Sequence, residues 1–146
     1  MQRVVSAHVE VEGRIAGLIG SGLLVLAGFE GRDSDADLEW MAAKIVRLRI
    51  FSDPVGLMNY SVLDVQGRLL VVSQFTLFAS TKRGNRPSWS RAARPEQALP
   101  LFERFVGNLE NLLGCPVETG VFGADMRVHL VNDGPVTISL DSRSPD

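Results

Sequence analysis

The apolar residues of this chain fall in runs of strand length, and helical spacing occurs in only two places. Residues 4–12 alternate, with Val5, Ala7, Val9 and Val11 on one side and Ser6, His8 and Glu10 on the other, as in a half-buried strand. Residues 15–19, 23–29, 60–65, 68–78, 117–121, 127–131 and 136–140 complete the set, separated by Glu12-Gly13-Arg14, Gly20-Ser21-Gly22, Gln66-Gly67 and similar turn signals. The first helical stretch starts at Asp33-Ser34-Asp35, which supplies a capping side chain and acids for the positive end of the helix dipole. Leu38, Met41, Ala42 and Ile45 share one face, and the helix is predicted to end near Leu48. The second starts near Pro95-Glu96, where Pro is tolerated in a first turn, carries Leu101, Phe102, Phe105, Leu109, Leu112 and Leu113, and stops at Gly114. Strands joined by hairpins, with two helices, predict one α+β domain over residues 1–146 with mainly antiparallel strands.

A chain of 146 residues can bury a core without metal or disulfide staples. No apolar run approaches the roughly 18 residues of a membrane span, and the start lacks the apolar core of a signal peptide. The single cysteine, Cys115, excludes an internal disulfide and suits a reducing, cytoplasmic setting; nothing beside it in sequence would activate it, so a structural role is expected. His8 and His129 are the only histidines, neither lies in a ligand cluster, and no Gly-rich loop precedes a Lys, so neither metal nor cofactor is expected. The net charge of −2 gives no global case for nucleic-acid binding. Its distribution does: Lys82, Arg83, Arg86, Arg91 and Arg94 crowd into residues 80–95 without one acid, a loop able to hold phosphates or simply a solvated surface.

Two stretches carry chemistry. Ser73-Gln74-Phe75-Thr76-Leu77 turns polar directly after the most apolar strand, as strands that deliver side chains to a pocket do. Asn132-Asp133-Gly134-Pro135-Val136-Thr137 interrupts two β-branched runs. Gly134 can adopt angles closed to other residues, and Pro135 removes an N–H and makes a cis peptide accessible. The pair reads either as an ordinary turn or as a rigid site presenting two backbone carbonyls.

Together these stretches resemble the two signature motifs of the D-aminoacyl-tRNA deacylase family. The resemblance extends over nearly the whole chain, through Gly22-Leu23-Leu24-Val25-Leu26, Leu48-Arg49-Ile50-Phe51, Met58-Asn59-Tyr60-Ser61-Val62, Arg86-Pro87-Ser88-Trp89 and Val121-Phe122-Gly123-Ala124-Asp125-Met126. It implies a curled, barrel-like sheet with helices on one side, and a homodimer with active sites at its interface. The implied reaction is hydrolysis of the ester of D-aminoacyl-tRNA, and of mischarged glycyl-tRNA. Ser73, Gln74, Phe75 and Thr76 would position the ester at the tRNA 3′ end and stabilise the oxyanion, with help from the substrate's 2′-hydroxyl. Gly134 and Pro135, as a cis pair reaching into the partner subunit, would accept from the α-ammonium and exclude L side chains. Arg3 would brace them, and Phe122, Gly123, Ala124 and Met126 would lie near the terminal adenine. No base accompanies Thr76 in its motif, so a non-catalytic tRNA-binding dimeric module stays open as the alternative. Arg3 stands so close to the start that a short or frayed first strand is expected.

Overall fold

Strands β3 (Gly22–Ala27) and β6 (Arg68–Ser73) run parallel, side by side, at the centre of the sheet in the computed structural model, which describes residues 1–145. Leu23, Leu24, Leu69 and Leu70 are at most 1% exposed, so both faces of both strands are buried. Each such side chain contributes about 1.5–3 kcal/mol relative to exposure, and unbroken apolar runs are the mark of strands covered on both sides. Gly22 allows the pair to approach, since a Cβ there would run into the backbone of Arg68.

The sheet order is β2-β1-β3-β6-β7, with β1 at Gln2–Val11, β2 at Arg14–Ile19 and β7 at Glu118–Thr119; the long β8 (Arg127–Thr137) adds to the other edge of β1. Pairing is antiparallel around β1 and parallel around β6. A Cβ on Gly17 of β2 would strike the Thr119 carbonyl of β7, so this glycine lets the two ends of the sheet approach and nearly close a barrel. Leu24, Leu70 and Val72 fill the interior with Val4, Ala7, Val9 and Ile19. On the outer face Leu23, Val25, Leu69 and Val71 pack against both helices, α1 (Asp35–Arg47) and α2 (Pro95–Leu113). The α+β barrel-like architecture with helices on one side is thus as expected.

Both helix limits follow local chemistry. Ser34 and Asp37 form a reciprocal capping box, and Gly114 closes α2 in the left-handed region at φ 76°.

Several strand expectations change. The predicted strand 60–65 and its Gln66-Gly67 hairpin do not form. A short β5 (Met58–Tyr60) pairs with β4 (Phe51–Ser52), after which Asp64 Oδ2 accepts from the Ser61 N–H (2.8 Å) and hydroxyl (3.0 Å) and holds a compact turn. Strand 68–78 stops at Ser73, and Phe75–Phe78 is a 3-10 turn. Val5 is 54% exposed rather than inward, because the β1–β8 register shifts between Val4 and Ser6. The strands expected at 127–131 and 136–140 are one strand with a break in pairing. Val4 opposes Asn132 and Gln2 opposes Thr137, so between these pairs one residue of β1, Arg3, faces four of β8 and Asp133–Pro135 bulge outward. The Asn132 side chain ties the base of this bulge, its Oδ1 accepting from the Val136 N–H (3.0 Å) and its Nδ2 donating to Thr137 Oγ1 (3.2 Å). The first strand is not frayed: the N-terminal ammonium donates to the Ile138 carbonyl (2.7 Å), and the Ile138 N–H to that of Met1 (2.9 Å).

Candidate active site

The end of β6 sets the first half of the site. Ser73 opposes Ala27, and the Gln74 N–H donates to the Ala27 carbonyl (2.7 Å), so the chain is held to β3 up to the point where it turns. In the 3-10 turn the Leu77 N–H reaches the Gln74 carbonyl (3.3 Å) and the Ala79 N–H that of Thr76 (3.1 Å). The N–H groups of Phe75 and Thr76, at the start of the turn, have no acceptor within it. The Gln74 side-chain amide donates to Thr76 Oγ1 and fixes that half-buried hydroxyl. Among the described residues no imidazole, amine or carboxylate hydrogen-bonds to Thr76 Oγ1.

Because β7 runs parallel to β6, both strands deliver their C-terminal ends to the same side. The turn after β7 therefore leaves the sheet at the same end as Ser73–Thr76. It carries Phe122, Gly123 (φ 75°) and Ala124, whose N–H donates to the Val121 carbonyl (3.2 Å). Phe122 leans on Phe102 of α2, ring centroids 5.9 Å apart, and Met126 packs into the barrel core.

The basic loop folds over the same region. Phe75 and Trp89 meet edge to face at 5.8 Å. Arg91 donates from Nε (3.0 Å) and Nη2 (2.7 Å) to Glu30 Oε1 and lies over the Phe78 ring at 5.4 Å. Glu30 is buried, and hydrogen bonds from Arg32 and Arg91 hold its carboxyl below the usual carboxylate range. The loop is thus pinned by one arginine, while Lys82, Arg83, Arg86 and Arg94 are exposed and unpaired among the described residues. A cavity of about 400 Å³ is lined by Leu77 and Phe78 of the turn together with Met1, Gln2 and Thr137. None of Ser73, Gln74, Phe75 or Thr76 lines it, so it is not the centre of this chemistry.

Arg3, Gly134 and Pro135 form a separate group. Arg3 is buried; its Nε donates to the Asp133 carbonyl (3.0 Å) and its Nη1 to that of Ile50 (2.6 Å). Gly134 has φ 131°, its peptide to Pro135 is cis, and both residues are exposed. Arg3 is level with Leu23 at the start of β3, whereas Ser73 is level with Ala27 at its end. Four residues at 3.3 Å separate the two groups by about 13 Å along the strands. One chain therefore brings Ser73–Thr76 together with Phe122–Ala124, and Arg3 together with Gly134-Pro135, but does not join the two sets.

One cluster escaped the sequence reading. His8 and His129 were expected to lie outside any ligand cluster, yet they face each other across β1 and β8 with rings stacked at 4.2 Å, and Glu10 stands beside them. Nothing local relates positions so far apart; only the strand pairing does.

No helix among the described residues is long and apolar enough to cross a membrane. The chain is 64% identical to the D-aminoacyl-tRNA deacylase of Dechloromonas aromatica (strain RCB), covering 100% of this chain and 97% of that one. It is 59% identical, with the same coverage, to the D-aminoacyl-tRNA deacylase of Chromobacterium violaceum. Among solved structures it resembles a c-Myc DNA unwinding element binding protein, with a TM-score of 0.90, 41% identity, and 99% and 97% of the two chains covered. A probable eukaryotic D-amino acid tRNA deacylase shares the fold at a TM-score of 0.77 and 19% identity, with 92% of each chain covered. The family described as D-Tyr-tRNA(Tyr) deacylase matches residues 1–141, and the chain belongs to that family.

Proposed function

We propose that this protein is an esterase that hydrolyses D-aminoacyl-tRNA, releasing the free D-amino acid and tRNA. The observation that carries the reading is the fixed Thr76 hydroxyl with no base on it, beside two backbone N–H groups free of intrahelical acceptors. An aminoacyl ester is already activated, so the protein can act by holding ester and water and by stabilising developing negative charge. The Phe75 and Thr76 N–H groups are suited to the oxyanion, and the neighbouring 2′-hydroxyl of the terminal ribose assists attack. Water supplies the new carboxyl oxygen, and the ribose oxygen leaves with a proton. Phe122, Gly123 and Ala124 lie on the side of the terminal adenine with Met126 backing their turn from the barrel core, and the exposed cations of the loop contact phosphates.

In this reading the second half of the site comes from another copy of the chain. The bulge at Gly134-Pro135 projects from the surface, and its carbonyls accept from the substrate α-ammonium of the facing subunit. With ammonium and ester both fixed, a D side chain points to open space and an L side chain meets the bulge, so selection works by exclusion. Glycine, lacking a side chain, passes.

Deacylation of D- and L-tyrosyl-tRNA tests this directly: rapid release of D-tyrosine with the L ester left intact is expected, and equal rates would end the exclusion mechanism. A second reading, tRNA binding without turnover, is favoured by the unpaired cations of the loop alone. It requires charged tRNA to be retained intact in a single-turnover assay.

A further inference from the structure

We infer that His8, Glu10 and His129 form a binding site for one divalent transition-metal ion on the outer face of the β1–β8 ribbon. The three residues come together through strand register. His8 lies directly opposite His129, and Glu10 is two residues along β1, on the same face. The intervening Ala7 and Val9 are buried in the barrel, which directs His8 and Glu10 outward.

One ligand atom from each side chain lies within 4.8 Å of the others, and His129 Nε2 is already 3.6 Å from Glu10 Oε2. Ligands about 2.0–2.2 Å from a four-coordinate ion stand about 3.3–3.6 Å apart, so the remaining closure is about 1 Å. Rotation of the imidazoles out of their parallel stack (10° between planes) supplies it without moving the backbone. The His129 and Glu10 side chains are 47% and 33% exposed, so an ion can enter from solvent with water completing its shell. Among the described residues the 3.6 Å approach of His129 Nε2 to Glu10 Oε2 is the only polar side-chain contact of the trio, so binding displaces no structural hydrogen bond.

Two imidazoles and one carboxylate suit zinc, nickel or copper rather than magnesium or calcium, with copper bound most tightly. Arg127, which opposes Glu10 in the register, places a positive charge near the site and weakens it. A bound ion would cross-link β1 to β8, the two strands that carry Arg3 and the Gly134-Pro135 bulge.

The test is isothermal titration of the full chain with zinc chloride, followed by the spectrum of the cobalt form. One ion per chain is expected, with the visible bands of nitrogen-containing coordination and a rise in melting temperature on saturation. Both His8→Ala and His129→Ala should weaken binding at least tenfold, and Arg127→Ala should tighten it. Cys115→Ala should leave it unchanged. Because His129 is exposed, His8 is only half-buried and neither is hydrogen-bonded, the variants should keep nearly the metal-free melting temperature. Absence of zinc binding at millimolar concentration, or unaltered binding in the double histidine variant, would overturn the site.

Discussion

Arg3 and Asp133, 130 residues apart in sequence, are joined by a 3.0 Å hydrogen bond from the guanidinium Nε to the backbone carbonyl that precedes Gly134. The same guanidinium donates at 2.6 Å to the carbonyl of Ile50. Arg3→Ala would leave both carbonyls without their donor; Ile50 is buried, and its unsatisfied carbonyl costs about 1–3 kcal/mol, whereas water can reach Asp133. Thermal melts should show a clear fall in stability, and deacylation should fall further as the bulge loses its brace. Arg3→Lys, able to reach only one carbonyl well, should lie between; full activity in the alanine variant would refute the bracing role.

Gly134 admits no side chain. Its φ of 131° disfavours L residues, and a Cβ would sit 2.9 Å from Val136 Cγ2 and 3.0 Å from the Arg3 guanidinium. Gly134→Ala should shift the carbonyls that contact the substrate. Displacement near 1 Å costs about 100-fold in a positioned reaction. The D-to-L rate ratio should shrink along with the D rate, which parallel assays on the two esters would read.

Thr76→Ala removes the hydroxyl that Gln74 holds but keeps the backbone N–H groups of the turn. If Thr76 positions substrate and forms no covalent intermediate, turnover should fall about 100-fold and still be measurable. Complete loss with a folded protein would mean that the hydroxyl is the nucleophile.

Glu30 gives the stability a pH dependence of known sign. Hydrogen bonds from Arg32 and then Arg91 lower its pKa in the folded state. A depressed carboxylate contributes stability above its unfolded value of about 4.3 and loses it as pH falls through the folded value. The melting temperature should therefore drop below about pH 4, and Glu30→Gln should flatten that part of the profile while lowering stability at neutral pH. Arg91 would lose its anchor in the same variant, so the loop 80–95 should become more sensitive to proteolysis.

Lys82, Arg83 and Arg86 are exposed, so their removal should leave the fold intact. Each alanine substitution should raise KM for charged tRNA, leave kcat nearly unchanged, and reduce the slope of log affinity against log salt by about 0.7–0.9. Equal effects on a small aminoacyl ester lacking tRNA would place these cations in the reaction itself.

Some of this architecture is written locally. Ser34, Asp37 and Gly114 mark helix ends through atoms a few residues away, and the apolar stripes of α1 and α2 follow from a fixed period. The buried runs at β3 and β6 are visible for the same reason. Strand partners are not written locally. The turn around Asp64 replaces the hairpin expected before β6, leaving both edges of that strand to β3 and β7. The motif after Val72 was expected to continue as strand, but Gln74 and Thr76 bond to each other and the chain turns there.

The order of apolar and polar residues thus determined the helices, the core strands and the two stretches that carry the chemistry, because each depends on spacing within a few residues. Tertiary structure alone decided that the turn holding Phe122 leaves the sheet at the same end as Thr76, that Arg3 reaches Asp133, that His8 meets His129, and that Gly134 lies about 13 Å from Ser73 along the strands. Those relations come from which edges pair and in what register, and backbone hydrogen bonds between strands are nearly the same whatever the side chains. Register is selected by burial summed over the whole sheet, a quantity no short segment contains.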